Sequence, residues 1–133
     1  MVRYLLMFFT YITLQIGPAH AGDASFEGKW QQIASTAGEC RTCAVEFKFA
    51  GALLSVDANN GWNATAQNVS DSSRSASANG RWSKDAGYLA GSPFRAFFEI
   101  VDSRLFMKML VRKNDGSMMA IKAIFERSSQ PTA

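Results

Sequence analysis

SPFRAFFEIVDSRLFMKMLVRKNDGSMMAIKAIFER, residues 92–127, is the stretch that decides the fold. It contains three long runs, Ser92–Val101, Arg104–Arg112 and Met118–Arg127, in which apolar and polar side chains alternate. Alternation with a period of two is typical of a β-strand with one buried face. The links between the runs, Asp102-Ser103 and Asn114-Asp115-Gly116, can each form a tight hairpin turn. The stretch therefore predicts three antiparallel strands joined by hairpins.

Alternation also assigns a face to each side chain in these runs. We expect an inward apolar face made of Phe94, Ala96, Phe98, Ile100, Leu105, Met107, Met109, Val111, Met119, Ile121, Ala123 and Phe125. The opposite face carries charges, as a solvated face does. It also carries Phe97, Val101, Phe106, Leu110 and Ile124, which is more apolar surface than contact with water requires. If these side chains are contiguous, they form a patch typical of an interface.

Shorter strand-like segments with turn residues between them precede residue 92. We predict strands over Gly28–Ala34, Ala44–Ala50, Leu53–Asp57, Trp62–Val69 and Ala78–Ser83, and a mobile polar loop over Ser70–Ser77. No segment of a dozen or more residues in this part of the sequence holds a helical period. About eight short strands at roughly 8–12-residue spacing predict an all-β fold, an antiparallel up-and-down barrel, with a β-sandwich as the alternative.

The first 21 residues are typical of a secretory signal peptide. Arg3 supplies a positive charge, residues 4–16 are almost entirely apolar, and Ala19-His20-Ala21 is a small-x-small cleavage site. The apolar run is about 13 residues long, whereas a membrane-spanning helix needs roughly 20. We therefore expect a cleaved segment at 1–21, one domain at 22–127 and a flexible tail at 128–133. The expected location is periplasmic or extracellular, without stable membrane insertion.

Charge and composition narrow the function classes. Cleavage would remove 21 of 133 residues and leave 112, with 13 basic side chains against 11 acidic ones once Arg3 is lost. The basic residues are scattered, whereas nucleic-acid binding usually needs a basic stripe. Cleavage would also remove His20, the only histidine. Without a histidine, the domain could not use Ser-His-Asp or Cys-His catalysis or form the usual histidine metal sites. We predict no enzyme, catalytic residue, metal or cofactor, and no nucleic-acid partner. Paired carboxylates stay open as an alternative.

Both cysteines lie in Cys40-Arg41-Thr42-Cys43. In an exported protein an even number of cysteines favours a disulfide. A redox pair of the thioredoxin type needs its first cysteine at a helix N-terminus, whereas a predicted strand follows this pair. The disulfide closes such a short loop that it would pin a turn rather than hold the fold together. A thiol oxidoreductase is kept as an alternative function.

Two features near the ends of the domain resemble the calycin-type barrels, which include lipocalins, avidins and small secreted inhibitors of bacterial metalloproteases. Gly28-Lys29-Trp30 opens the first predicted strand, and Arg127 closes the last one on the inward face. The resemblance implies a barrel in which Trp30 plugs the base and Arg127 packs across it, both in structural roles. A guanidinium over an indole ring contributes about 0.5–2 kcal/mol.

Trp62 and Trp82 each follow a turn signal, which places them near loop ends at the mouth of a barrel, where a pocket would open. The sequence therefore predicts an exported, non-catalytic barrel that binds a small apolar ligand against these tryptophans. The alternative is a protein-binding module that uses either the loops or the outward surface of Phe97, Phe106, Leu110 and Ile124. It would act as an inhibitor of a secreted hydrolase or as a self-associating envelope component, for example a homodimer.

Overall fold

The computed structural model describes residues 25–128, which form a closed barrel of eight antiparallel strands. The strands are β1 (Gly28–Ser35), β2 (Ala44–Ala50), β3 (Leu53–Ala58), β4 (Trp62–Ala66), β5 (Ser75–Trp82), β6 (Pro93–Val101), β7 (Arg104–Arg112) and β8 (Met118–Arg127). Each strand pairs with its neighbours in the sequence, and β8 pairs with β1. The predicted up-and-down barrel is confirmed, and this closure excludes the sandwich.

The predicted cleavage site and most of the predicted tail lie outside the described residues. Between residues 25 and 128 the only helical segment is a single 3-10 turn at Gly87–Leu89. No helix in this part of the chain is long and apolar enough to cross a membrane.

The inward face predicted for the last three strands is confirmed. Eleven of the twelve side chains assigned to it are buried, and the twelfth, Met119, is half-buried and packs against the core. The bounds of β2, β7 and β8 also agree with the sequence prediction. Hairpin turns follow β6 and β7, and the first has both Asp102 and Ser103 in the left-handed region, at φ +48° and +66°.

Two predicted segments were wrong around the β4–β5 connection. Strand β4 ends at Ala66 rather than Val69, and Ser75–Ser77 belong to β5 rather than to a loop. The inward side chain of this part of β5 is small: Ala76 pairs with the large Phe98 of β6. Barrel interiors often alternate small and large residues in this way, which removes the apolar signal of a strand. Val69 is nevertheless buried, and its N–H donates to the carbonyl of Ala52 over 3.1 Å.

The base of the barrel is closed by one connected group of residues. Trp30 is fully buried, and its indole N–H donates to the carbonyl of Phe26 at 2.8 Å. The guanidinium carbon of Arg127 lies 4.3 Å from the centroid of the Trp30 ring. Arg127 also donates to the backbone carbonyls of Ser25 and Glu27. The N-terminal segment is thereby tied across the open end of the barrel.

A β-bulge changes the faces of β1. The pairing of β1 with β8 shifts register between Gln32 and Ala34, which leaves Ile33 as an extra residue that is 45% exposed. Before the bulge Gln32 pairs with the inward Phe125, and after it Ser35 pairs with the inward Ala123. Consequently Ala34 lies on the outer wall beside Ile124.

Aromatic rings pack against one another in the interior of the barrel. Phe47 stacks on Phe26 with ring centroids 5.6 Å apart and meets Phe98 edge to face at 5.2 Å. Gly80 leaves room for another ring: a Cβ at this position would lie 2.4 Å from Cζ of Phe94.

Candidate functional site

The two tryptophans predicted to contact a ligand lie together at the mouth. Trp62 pairs directly with Trp82 across β4 and β5, and their ring centroids are 6.5 Å apart. Trp62 also meets the ring of Phe94 edge to face at 5.4 Å. Packing leaves Trp62 only 5% and Trp82 only 9% exposed.

The cavity that these tryptophans line is small. It measures about 40 Å³ and is also lined by Gln32, Ser35 and Asn60. One water molecule occupies about 30 Å³ in the liquid, whereas small-molecule pockets span roughly 300–1,000 Å³. In the described part of the chain, the indole N–H of Trp82 and the buried hydroxyl of Ser92 have no hydrogen-bond partner. The cavity is therefore too small for an apolar ligand of ordinary size.

Cys40 and Cys43 form a disulfide in the loop between β1 and β2, with their Cα atoms 5.4 Å apart. Strand β2 follows the pair directly, so neither sulfur lies at a helix N-terminus. The carbonyl of Cys43 accepts hydrogen bonds from the backbone N–H of Gln32 and the side chain of Gln31, both at 2.9 Å. The disulfide thus holds the loop against β1. Within residues 25–128 no group of three His, Cys, Asp or Glu side chains is placed to bind a metal.

The outer wall brings together three of the four residues predicted as an interface. Phe106 pairs directly with Ile124, and Phe97 lies one row away on the neighbouring strand, opposite Lys108. We call Phe97, Phe106, Ile124 and Ala34 the outer patch. Phe97 is 41% and Phe106 39% exposed, although each is a large apolar side chain. Leu110 lies on the same wall but pairs with Arg95 and Ala120 instead of joining the patch.

The outer patch, together with inward-facing residues of the same strands such as Phe98 and Met107, lines a depression of about 920 Å³. Its lining comprises residues 34–36, 67–69, 75–77, 97–99, 106–108 and 122–124. It crosses five consecutive strands, from β1 through β8, β7 and β6 to β5. With strands about 4.8 Å apart, the depression covers about 19 Å measured along the curved wall of the barrel. The loop that follows β4 borders its far end with Asn68, which has a positive φ of 59°.

Three charged side chains border the patch. Lys108 and Lys122 are directly opposite each other on β7 and β8, and Glu99 lies opposite Phe106. None of the three forms an ion pair with another described residue. Like charges directly opposite across two strands are destabilising. The two lysines therefore add a local positive charge to the edge of an apolar surface.

Sequence reasoning assigned Lys108 and Lys122 to a solvated face and missed their pairing. The signal was present: a turn centred on Asp115 places residue 112 opposite 118 and residue 108 opposite 122. No comparable sequence signal showed that Ala34 and residues 75–77 line the depression. Ala34 faces outward only because of the bulge in β1, and residues 75–77 were predicted to be a loop but belong to β5.

These observations define the class of protein by its fold. The chain forms an eight-stranded up-and-down barrel with Trp30 and Arg127 at its base, and this architecture is compatible with a calycin-like fold. No protein-family model matches the sequence, and no curated protein matches it significantly.

Proposed function

We propose that this protein is an exported, non-catalytic barrel that binds a small apolar or amphipathic ligand on its outer wall. The observation that carries the proposal is the 920 Å³ depression lined by Phe97, Phe106 and Ile124. A soluble domain seldom exposes aromatic side chains side by side without a binding role. The depression also has the volume that ligand sites commonly have.

The outer wall suits a ligand better than the mouth does. Burial of Trp62 and Trp82 leaves only about 40 Å³ beside them, so a ligand there would first have to displace an indole ring. The outer depression needs no such rearrangement, because Phe97 and Phe106 are already accessible. The proposed site is therefore on the wall, although the class of function is the one that the sequence predicts.

Export and the absence of catalysis rest mainly on the sequence. The signature in residues 1–21 supports export, and the disulfide between Cys40 and Cys43 is compatible with an oxidising compartment. Because that bond occupies both cysteines, no free thiol is left as a nucleophile. Loss of His20 with the leader would remove the most common general base.

Titration with Nile red, an uncharged dye that fluoresces in apolar surroundings, tests the proposed site. We expect Phe106→Ser to weaken dye binding about tenfold, since losing roughly 1–1.5 kcal/mol of apolar contact changes an affinity by that factor. Leu53→Ser is the matched control: Leu53 is 40% exposed on β3 and lies away from the depression. Circular dichroism would establish that both variants keep the barrel.

Three outcomes would overturn the outer-wall site. Equal losses for Phe106→Ser and Leu53→Ser would show that the dye binds apolar side chains without a site. A loss on Trp82→Phe that Phe106→Ser does not share would move the ligand to the mouth. A dimer on size-exclusion chromatography that Phe106→Ser dissociates would favour the protein-binding alternative, in which the outer patch joins two copies.

A further inference from the structure

We propose that the ligand of the outer patch is a single-chain amphiphile with an anionic head group, which Lys108 and Lys122 bind. The inference rests on the proposed function, because it assumes that the depression is the site. The two lysines indicate the charge of the ligand's head group, which the apolar patch alone does not indicate.

The placement of the two lysines carries the argument. Lys108 is two residues from Phe106 on β7, and Lys122 is two residues from Ile124 on β8. Side chains two apart on a strand share a face and are about 7 Å apart along it. The charged row therefore runs directly beside the apolar row, and both line the same depression.

No interaction within the described residues compensates for placing Lys108 and Lys122 opposite each other. Directly opposite side chains on antiparallel strands have Cβ atoms about 4.5–5.5 Å apart, so two ammonium groups there repel each other. Among the described residues no carboxylate lies within ion-pair distance of either; Glu99, which lines the same depression, is diagonal to Lys108, where side chains start about 7–8 Å apart. One anionic head group between the two flexible stems would relieve this repulsion.

The depression suits a single flexible tail that can follow a curved wall. It covers about 19 Å along the wall of the barrel across five strands, and apolar side chains of β6, β7 and β8 form its central part. Thr36 stands at the same row as the lysines, but its hydroxyl oxygen already accepts the backbone N–H of Lys122 at 2.9 Å. The lysines are thus the groups at this edge with charge available for a ligand.

Displacement of Nile red by decanoate and by 1-decanol tests the inference, because these probes share a tail and differ in head-group charge. We expect decanoate to bind about tenfold more tightly than decanol. The double variant Lys108→Gln/Lys122→Gln should lose this preference and keep its affinity for decanol. Lys29→Gln/Lys84→Gln, which removes the same charge from exposed positions outside the depression, should behave as the unmodified protein does.

The outcomes separate this inference from the function on which it rests. If decanol and decanoate bind equally, or if both double variants lose the same affinity, the lysine site is wrong and the apolar site stands. If neither probe displaces the dye and Phe106→Ser leaves dye binding unchanged, the proposed function itself fails. Binding to vesicles with anionic lipids, without binding of monomeric decanoate, would assign the lysines to a membrane surface and overturn the inference.

Discussion

Gly28, Trp30 and Arg127 form one unit at the base of the barrel. A different physical requirement explains the residue type at each of these positions. Gly28 has a φ of +119°, where side chains are rarely tolerated, and a Cβ there would lie 3.4 Å from a guanidinium nitrogen of Arg127. Trp30 fills the base and presents its ring to the Arg127 cation. A spacing of one residue between glycine and tryptophan thus lets the backbone turn into β1 while the indole faces inward.

Gly80 is required for a different reason, which is the close approach of its neighbours. A Cβ there would lie 2.2 Å from the carbonyl oxygen of Asn63 and 2.4 Å from the ring of Phe94, and the first of these is backbone that cannot rotate away. We expect Gly80→Ala to lower the free energy of unfolding by about 1–3 kcal/mol, the usual cost of overpacking. Urea denaturation would measure the loss.

The neighbouring Asn79→Ala is the control for Gly80→Ala, because Asn79 is exposed on the same strand. We expect it to change the free energy of unfolding by no more than about 0.5 kcal/mol. A Gly80→Ala variant as stable as the Asn79→Ala variant would contradict the tight packing of Phe94 over β5.

At the scale of the element, the turn of the β7–β8 hairpin sets the strand register that positions the two lysines of the proposed site. Asp115 accepts hydrogen bonds from the hydroxyl of Ser117 at 2.6 Å and from its backbone N–H at 2.9 Å. Gly116, at φ +85°, completes the turn. The resulting register places Lys108 opposite Lys122, so a slip of the turn would change the charge pair as well as the strand pairing.

The same hairpin predicts a pH dependence. The hydrogen bonds from Ser117 lower the pKa of Asp115 from its usual 3.8. A lowered pKa in the folded state means that the carboxylate stabilises the fold above pH 3.8, and that this contribution disappears as the pH falls through the lowered value. We expect Asp115→Ala to be less stable than the unmodified protein at pH 7, with the difference shrinking below pH 3.8.

Thermal unfolding of both proteins between pH 7 and pH 2.5 would measure this dependence. Asp85→Ala is a suitable control, because Asp85 is also exposed in a loop and has no hydrogen bond from a side chain within residues 25–128. A stability difference for Asp115→Ala that stays constant through this pH range would contradict the role of the ionised carboxylate.

At the scale of the whole molecule, the long C-terminal strands and three residues of the outer patch could be predicted from the sequence, whereas the rest of the depression could not. Strict alternation in 92–127 determined the faces, because one side of each strand must avoid water. The bulge at Ile33 leaves no local signal, since it depends on how β1 closes against β8. The depression combines six separate segments, so its shape follows from closure of the barrel rather than from any one run of residues.

Closure of the barrel also determines what the disulfide contributes. Strands β1 and β8 pair from Trp30–Arg127 to Ser35–Ala123, whereas Cys40 and Cys43 join positions only three residues apart. Closing so short a loop contributes about 2 kcal/mol in the chain-entropy model. We expect Cys40→Ser/Cys43→Ser to lower the thermal midpoint by about 5–15 °C, while the β-sheet circular dichroism spectrum and Nile red binding persist. The same variant addresses the oxidoreductase alternative: if the unmodified protein catalyses the reduction of insulin by dithiothreitol and the variant does not, the pair is a redox centre. Loss of the barrel in the variant would instead show that the disulfide holds the fold, against the closure that β1 and β8 provide.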